Sequence, residues 1–127
     1  MKDVIASQGH PGLYFINERD SDVTQSEQQT GFSVRYWGVR GSIATPGPGT
    51  LRYGGNTSCV EICCGDHRFV IDSGTGIRGL GDVLTATGEP VECHLLYSHL
   101  HWDHIQGLPF FMPAYSSSTT VHLYGAR

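Results

Sequence analysis

Ser98-His99-Leu100-His101-Trp102-Asp103-His104 follows directly on the apolar run His94-Leu95-Leu96-Tyr97. Four side chains able to bind a metal thus fall within six residues at the end of a strand-like segment. In an extended chain His99 and His101 point the same way. Asp103 continues that side and His104 turns away, so the four groups divide between two adjacent ions. Neutral imidazole and carboxylate suit Zn²⁺ first, with Mn²⁺ or Fe as substitutes. A polar surface loop is the bland alternative, but such a loop rarely gathers three of a chain's seven histidines beside an acid.

The flanking sequence reads as a layered α/β (or α+β) domain. Phe32–Val39 alternates like a half-buried strand, and Gly41–Asn56, broken by Pro46, Pro48 and several glycines, reads as a long loop. Thr57–Cys64 and His67–Asp72 form two strand-like runs around Gly65-Asp66, a hairpin turn. Over Ile77–Thr87, Ile77, Leu80, Val83 and Leu84 recur at helical spacing, with Gly88 as the stop and Pro90 beyond. His94–Ser98 reads as a buried strand, and Val121–Tyr124 as a further short one.

Two other motifs compete for the same region. Gly74-Thr-Gly76-Ile-Arg-Gly79 is a literal GxGxxG after a strand. A dinucleotide site also wants an acid at the end of the next strand, where Tyr97-Ser98 stands, and the hairpin argues against a βαβ unit. Phe69-Val-Ile-Asp72-Ser-Gly74 resembles the active-site turn of aspartic proteases, in which two Asp72 carboxylates of a dimer would share a proton. That reading leaves the histidine cluster as coincidence. Asp72 also has a plain reading, a turn residue capping Gly74. His67 and His94 read as structural histidines bordering strands, and His122 as a strand residue. Trp37 and Tyr53 read as packing residues, Asn56 as a turn residue, and Arg40 and Arg52 as solvated.

His99-Leu-His101-Trp-Asp103-His104 resembles the HxHxDH signature of the metallo-β-lactamase fold superfamily. Residues 37–58, WGVRGSIATPGPGTLRYGGNTS, and 71–76, IDSGTG, look like its phosphodiesterase branch, which includes the transfer-RNA 3′-processing endonucleases. The resemblance implies that His99 and His101 bind a first ion, and Asp103 and His104 a second, with Asp103 the catalytic candidate. Asp72 would order the metal loop without binding metal. Two ions, zinc foremost, would share a hydroxide that attacks a phosphodiester small molecule or RNA. The fold implied is the first half of a four-layer αββα sandwich, with further ligands in a part that follows. Residues 31–127 therefore read as a truncated N-terminal half. The alternative is a non-catalytic metal-binding or interaction half-domain that needs a complementary chain or a homo-oligomer.

Composition sets the outer limits. Lys and Arg total 8 against 12 acids, a net charge of −4, which argues against a protein held to nucleic acid by a basic surface. With 127 residues, 39% hydrophobic and 16% charged, the chain fits one folded domain. Residues 1–30 are acid-rich and end in the polar run Ser21–Thr30, which reads as a flexible extension. They lack a signal-peptide pattern, and no apolar run approaches the ~18 residues of a membrane span. A cytoplasmic protein without a membrane is expected. Cys59, Cys63, Cys64 and Cys93 accordingly read as reduced and structural.

Overall fold

The computed structural model describes residues 31–125 together with the strand segments Ile5–Ala6 and Tyr14–Ile16. The rest of the extension expected over residues 1–30 lies outside the described residues. Seven strands form one sheet in sequence order: β1 (Ile5–Ala6), β2 (Tyr14–Ile16), β3 (Phe32–Gly38), β4 (Cys59–Cys64), β5 (His67–Ile71), β6 (Val91–Leu96) and β7 (Thr119–Tyr124). The first five pair antiparallel, whereas β5–β6 and β6–β7 are parallel. The helix α1 (Ile77–Thr87) makes the first parallel crossover. A short helix α2 (Trp102–Ile105) and two 3₁₀ turns, Leu108–Phe110 and Met112–Tyr115, make the second. The mixed α/β class expected from the sequence is the class observed.

The β4–β5 hairpin closes at Gly65-Asp66, pairing Cys64 with His67, with Gly65 at φ +56°. Only residues without a Cβ adopt that region freely, so the turn falls at the glycine. Helix α1 ends where Gly88, at φ +70°, lets its amide donate to the Thr85 carbonyl. The expectation that the hairpin excludes a βαβ unit is corrected. β5 is antiparallel to β4 on one side and parallel to β6 on the other, so β5–α1–β6 is a βαβ unit.

Burial assigns the two faces of the sheet. Cys59, Val70, Val91, Cys93 and Leu95 pack with Ile77, Leu80 and Leu84 of α1 and with Phe111 to form the core. Burying each such aliphatic side chain contributes roughly 1.5–3 kcal/mol. The alternation in β6 is strict: Val91, Cys93 and Leu95 are buried, while Glu92 and Leu96 are exposed. The buried strand expected at His94–Ser98 is instead a half-buried one, Val91–Leu96, because helices cover only one face. Val83, expected on the apolar face of α1, is exposed. Gly81 takes the contact position instead. A Cβ there would stand 3.1 Å from Phe111 Cδ2 and Pro113 Cδ, so a glycine lets the 3₁₀ segment lie close on the helix.

All four cysteines are free. Burial pushes the Cys59 thiol well above the ordinary thiol range, with the nearby Glu61 carboxylate adding to this, and raises the Cys93 thiol as well. Because the thiolate is the nucleophile, a raised pKa lowers reactivity at neutral pH. Iodoacetamide at pH 8 is expected to label the exposed Cys64 first and to spare Cys59 and Cys93 until denaturant is added. Peptide mapping by mass spectrometry reads this out, and rapid labelling of Cys93 in the native protein would contradict the packing.

Candidate metal centre

Three loops meet at the carboxyl end of β5 and β6. The first follows β5 at Asp72-Ser73-Gly74. The second follows β6 and carries residues 98–107, and the third is the Gly/Pro loop after β3. Backbone hydrogen bonds tie the first two together. Ser73 N donates to His104 O (2.7 Å), and Gly107 N donates to Ser73 O (2.8 Å). The space between them is too small for a side chain. A Cβ on Gly107 would stand 2.0 Å from the Gly74 carbonyl oxygen, and one on Gly74 would stand 2.4 Å from Asp103 O and Thr57 Oγ1.

This close approach also explains the GxGxxG pattern. Gly74 admits the metal loop, and a Cβ on Gly76 would strike the Trp37 backbone at 2.6 Å. At Gly79 the nearest neighbour is the Trp37 ring, 3.3 Å away. The glycines serve packing of one segment on another. Trp37 is partly buried against the core, and its indole donates to Glu61 Oε2 at 3.0 Å, in line with a packing role.

Asp72 sits at φ +62°, a left-handed conformation that aspartate tolerates better than most residues. Its carboxylate accepts from Ser98 N (2.8 Å) and from Ser98 Oγ (2.9 and 2.8 Å to its two oxygens). Ser58 Oγ donates to it at 3.2 Å, and His104 Nδ1 lies 2.7 Å from Oδ2. Burial opposes ionisation of Asp72, but the bonds from His104 and Ser98 outweigh it and hold the carboxyl below the usual carboxylate range. The alternative of a turn residue capping Gly74 does not match the bonding, since Gly74 N donates to Ser58 O.

Beyond Ser98 the chain does not stay extended, which corrects the geometry expected from the sequence. His101 is extended (ψ 149°), but His104 N donates to His101 O and Gln106 N to Trp102 O, making the helical turn α2. In a strand, neighbours point to opposite faces, whereas this turn sets the Asp103 carboxylate 3.4 Å from His104 Nε2. His99 Nε2 lies 3.1 Å from His101 Nδ1, and the His99 and His104 rings are 4.0 Å apart. The four residues are therefore neighbours in one loop, His99 beside both His101 and His104, and His104 beside Asp103. Asp103 is 9% exposed, and Oδ2 accepts the Ser42 amide at 2.8 Å, the bond that does most to hold its carboxyl below the usual range.

His99 and His101 stand at the spacing of two ligands of one divalent ion. Two nitrogen ligands of one tetrahedral ion, each at 2.0–2.1 Å, stand about 3.3 Å apart. The His99–His101 separation of 3.1 Å is close to this. The second nitrogen of two rings is already occupied, His99 Nδ1 by Ser98 Oγ (3.0 Å) and His104 Nδ1 by Asp72. Outer partners of this kind leave Nε2 of each ring for a metal. Two contributors escaped the sequence reading. Ser98 was legible as the residue next to His99, but its bonds to Asp72 were not. Ser42, 61 residues from Asp103 along the chain, left no local signal.

A profile of the metallo-beta-lactamase superfamily matches residues 52–124. The chain belongs to that superfamily. No curated protein matches it. Among solved structures, a metallo-beta-lactamase candidate from Thermotoga maritima aligns at 21% identity with a TM-score of 0.39, over 69% of this chain and 41% of the other. The chain thus spans less than half the length of that protein. Among the described residues, no helix is long and apolar enough to cross a membrane.

Gly107→Ala is expected to cost about 3 kcal/mol, since neither backbone at the junction has room to move. Gly41→Ala, where nothing lies within 4 Å of the added Cβ, is the control and should stay within about 0.5 kcal/mol of the parent. Urea unfolding curves measure both. Equal midpoints for the two variants would show that the junction is not tight.

Proposed function

We propose that this chain carries the metal-binding part of a metallo-hydrolase acting on phosphodiesters. His99 and His101 would hold one divalent ion, and Asp103 and His104 a second, with zinc the first choice and manganese or iron as substitutes. The observation that supports this most is the pairing itself: 3.1 Å between two imidazole nitrogens beside a carboxylate–imidazole pair at 3.4 Å. When bound, such ions supply Lewis acidity toward a phosphoryl oxygen and lower the pKa of the attacking water.

The remaining roles fall to this chain's own groups. Asp72 accepts the His104 Nδ1 proton and keeps Nε2 free as a ligand. Ser98 holds His99 in the matching orientation, and the Ser42 amide fixes the rotamer of Asp103, the catalytic candidate. The phosphodiester or RNA substrate rests on the resemblance of residues 37–58 and 71–76 to the phosphodiesterase branch. A second reading, a metal-binding module that turns over only with a complementary chain or a second copy, draws on the open sheet face, where Leu96 and Tyr124 are exposed. In either reading we place the protein in the cytoplasm, consistent with four free thiols.

Elemental analysis of protein purified without affinity histidines is expected to find divalent metal, together with hydrolysis of bis(p-nitrophenyl) phosphate in preference to a β-lactam. Asp72→Asn should weaken metal binding about 10–100-fold. Asp103→Asn should lower phosphodiester turnover by about a hundredfold or more. Metal uptake without turnover would favour the second reading. A folded chain that takes up no divalent ion at His99, His101, Asp103 and His104 would overturn both.

A further inference from the structure

A second set of metal-competent side chains stands on the sheet, on the face that the helices leave open. β6 and β7 pair in parallel with His94 opposite His122, and Glu92 precedes His94 by two residues on the same face. The alternate residues Val91, Cys93 and Leu95 are buried on the helix side, so Glu92 and His94 point away from the core. The His94 and His122 rings stack at 4.7 Å with planes 15° apart. His122 Nε2 lies 2.9 Å from Glu92 Oε1. One ligand atom from each of Glu92, His94 and His122 lies within 4.8 Å of the other two.

Two further contacts prepare this group. His94 Nδ1 lies 3.0 Å from the Tyr124 hydroxyl, which leaves Nε2 as the free nitrogen of that ring. Phe69 stacks on His94 at 5.2 Å and 29°, which limits where the imidazole can turn. The other two ligands are the adjustable ones, with side chains 69% exposed at Glu92 and 40% at His122. Small rotations of these bring three donors to the spacing of about 3.3 Å that a tetrahedral ion needs, with water as the fourth ligand.

We propose that Glu92, His94 and His122 form a further divalent-metal site that clips β7 to β6. Two imidazoles and one carboxylate select zinc and its neighbours cobalt, nickel and copper over magnesium and calcium, which prefer all-oxygen shells. β7 has a paired neighbour on one side only, so an ion bridging it to β6 stabilises the strand that closes the described sheet. The site shares no ligand with the 99–104 loop and stands whether or not that loop proves catalytic.

The test uses the full chain, stripped of metal and free of affinity histidines, titrated with Zn²⁺ by calorimetry. A loop variant, His99→Ala with His101→Ala and His104→Ala, which removes a ligand from each of the two ions proposed for that loop, is titrated alongside. The loop variant is expected to retain one zinc equivalent and to melt at higher temperature when zinc is added. Adding His122→Ala to it should abolish both effects, and Mg²⁺ should reproduce neither. Glu92→Gln in the same background provides a second, surface-exposed variant whose fold circular dichroism checks, and it should weaken the retained site by tenfold or more. Unchanged zinc stoichiometry on removing His122, or no zinc bound by the folded loop variant, would overturn the proposal. Loss of the 99–104 site alone would appear instead as identical titrations of the parent and the loop variant.

Discussion

The Asp72 carboxylate is the point through which the candidate centre is assembled. It accepts from the amide and hydroxyl of Ser98, from Ser58 and from His104, and so joins the ends of β5 and β6 to the helical turn α2 that follows β6. A buried carboxylate is costly without such partners, and a hydrogen bond to a charged group contributes about 1.5–3 kcal/mol. The left-handed backbone at Asp72 is itself unfavourable by roughly 1–2 kcal/mol for an L-residue. That geometry persists because four groups converge on one side chain, and strained backbone of this kind is typical where a site is held in advance.

Close approach of backbones does the rest. Gly74, Gly76 and Gly107 have no side chains at three places where any Cβ would overlap a neighbouring carbonyl or side chain. Their absence of bulk lets the metal loop lie on the Asp72 turn and lets that turn lie on Trp37. Gly74 and Gly76, with Gly79, formed a nucleotide-binding pattern on paper. A pattern of small residues reports that something comes close, and only the fold says whether that is a pyrophosphate or another part of the chain.

The sheet has two unlike faces, and this difference organises the molecule. One is covered by α1 and Phe111 and supplies the apolar core. The other carries His67, Phe69, His94, Leu96 and Tyr124 around a shallow hollow. Strict alternation in β6 gives each face its own chemistry, with cysteine and aliphatic residues inward and glutamate and histidine outward. The charged and imidazole groups of the outer face lie close together because β6 and β7 run parallel in register.

How much of this was legible in the sequence depends on the range of each interaction. The β4–β5 hairpin, helix α1 with its Gly88 stop, and strand β7 all follow from signals within a few residues, namely alternation, helical spacing and a glycine at a turn. The four candidate donors were equally plain, because they lie within six positions, and the superfamily follows from that same run. What lay beyond reach was non-local or marginal. The turn at Trp102–Ile105 is only four residues long, too short for a periodic signal, yet it decides how Asp103 and His104 face one another. The parallel pairing of β5 with β6, the Ser42 amide on Asp103 and the meeting of His94 with His122 join residues distant in sequence. Local preference settled the elements and the donor set, whereas tertiary packing alone settled which donors meet, because their contacts form only when loops far apart in the chain are brought to the same edge or face of the sheet.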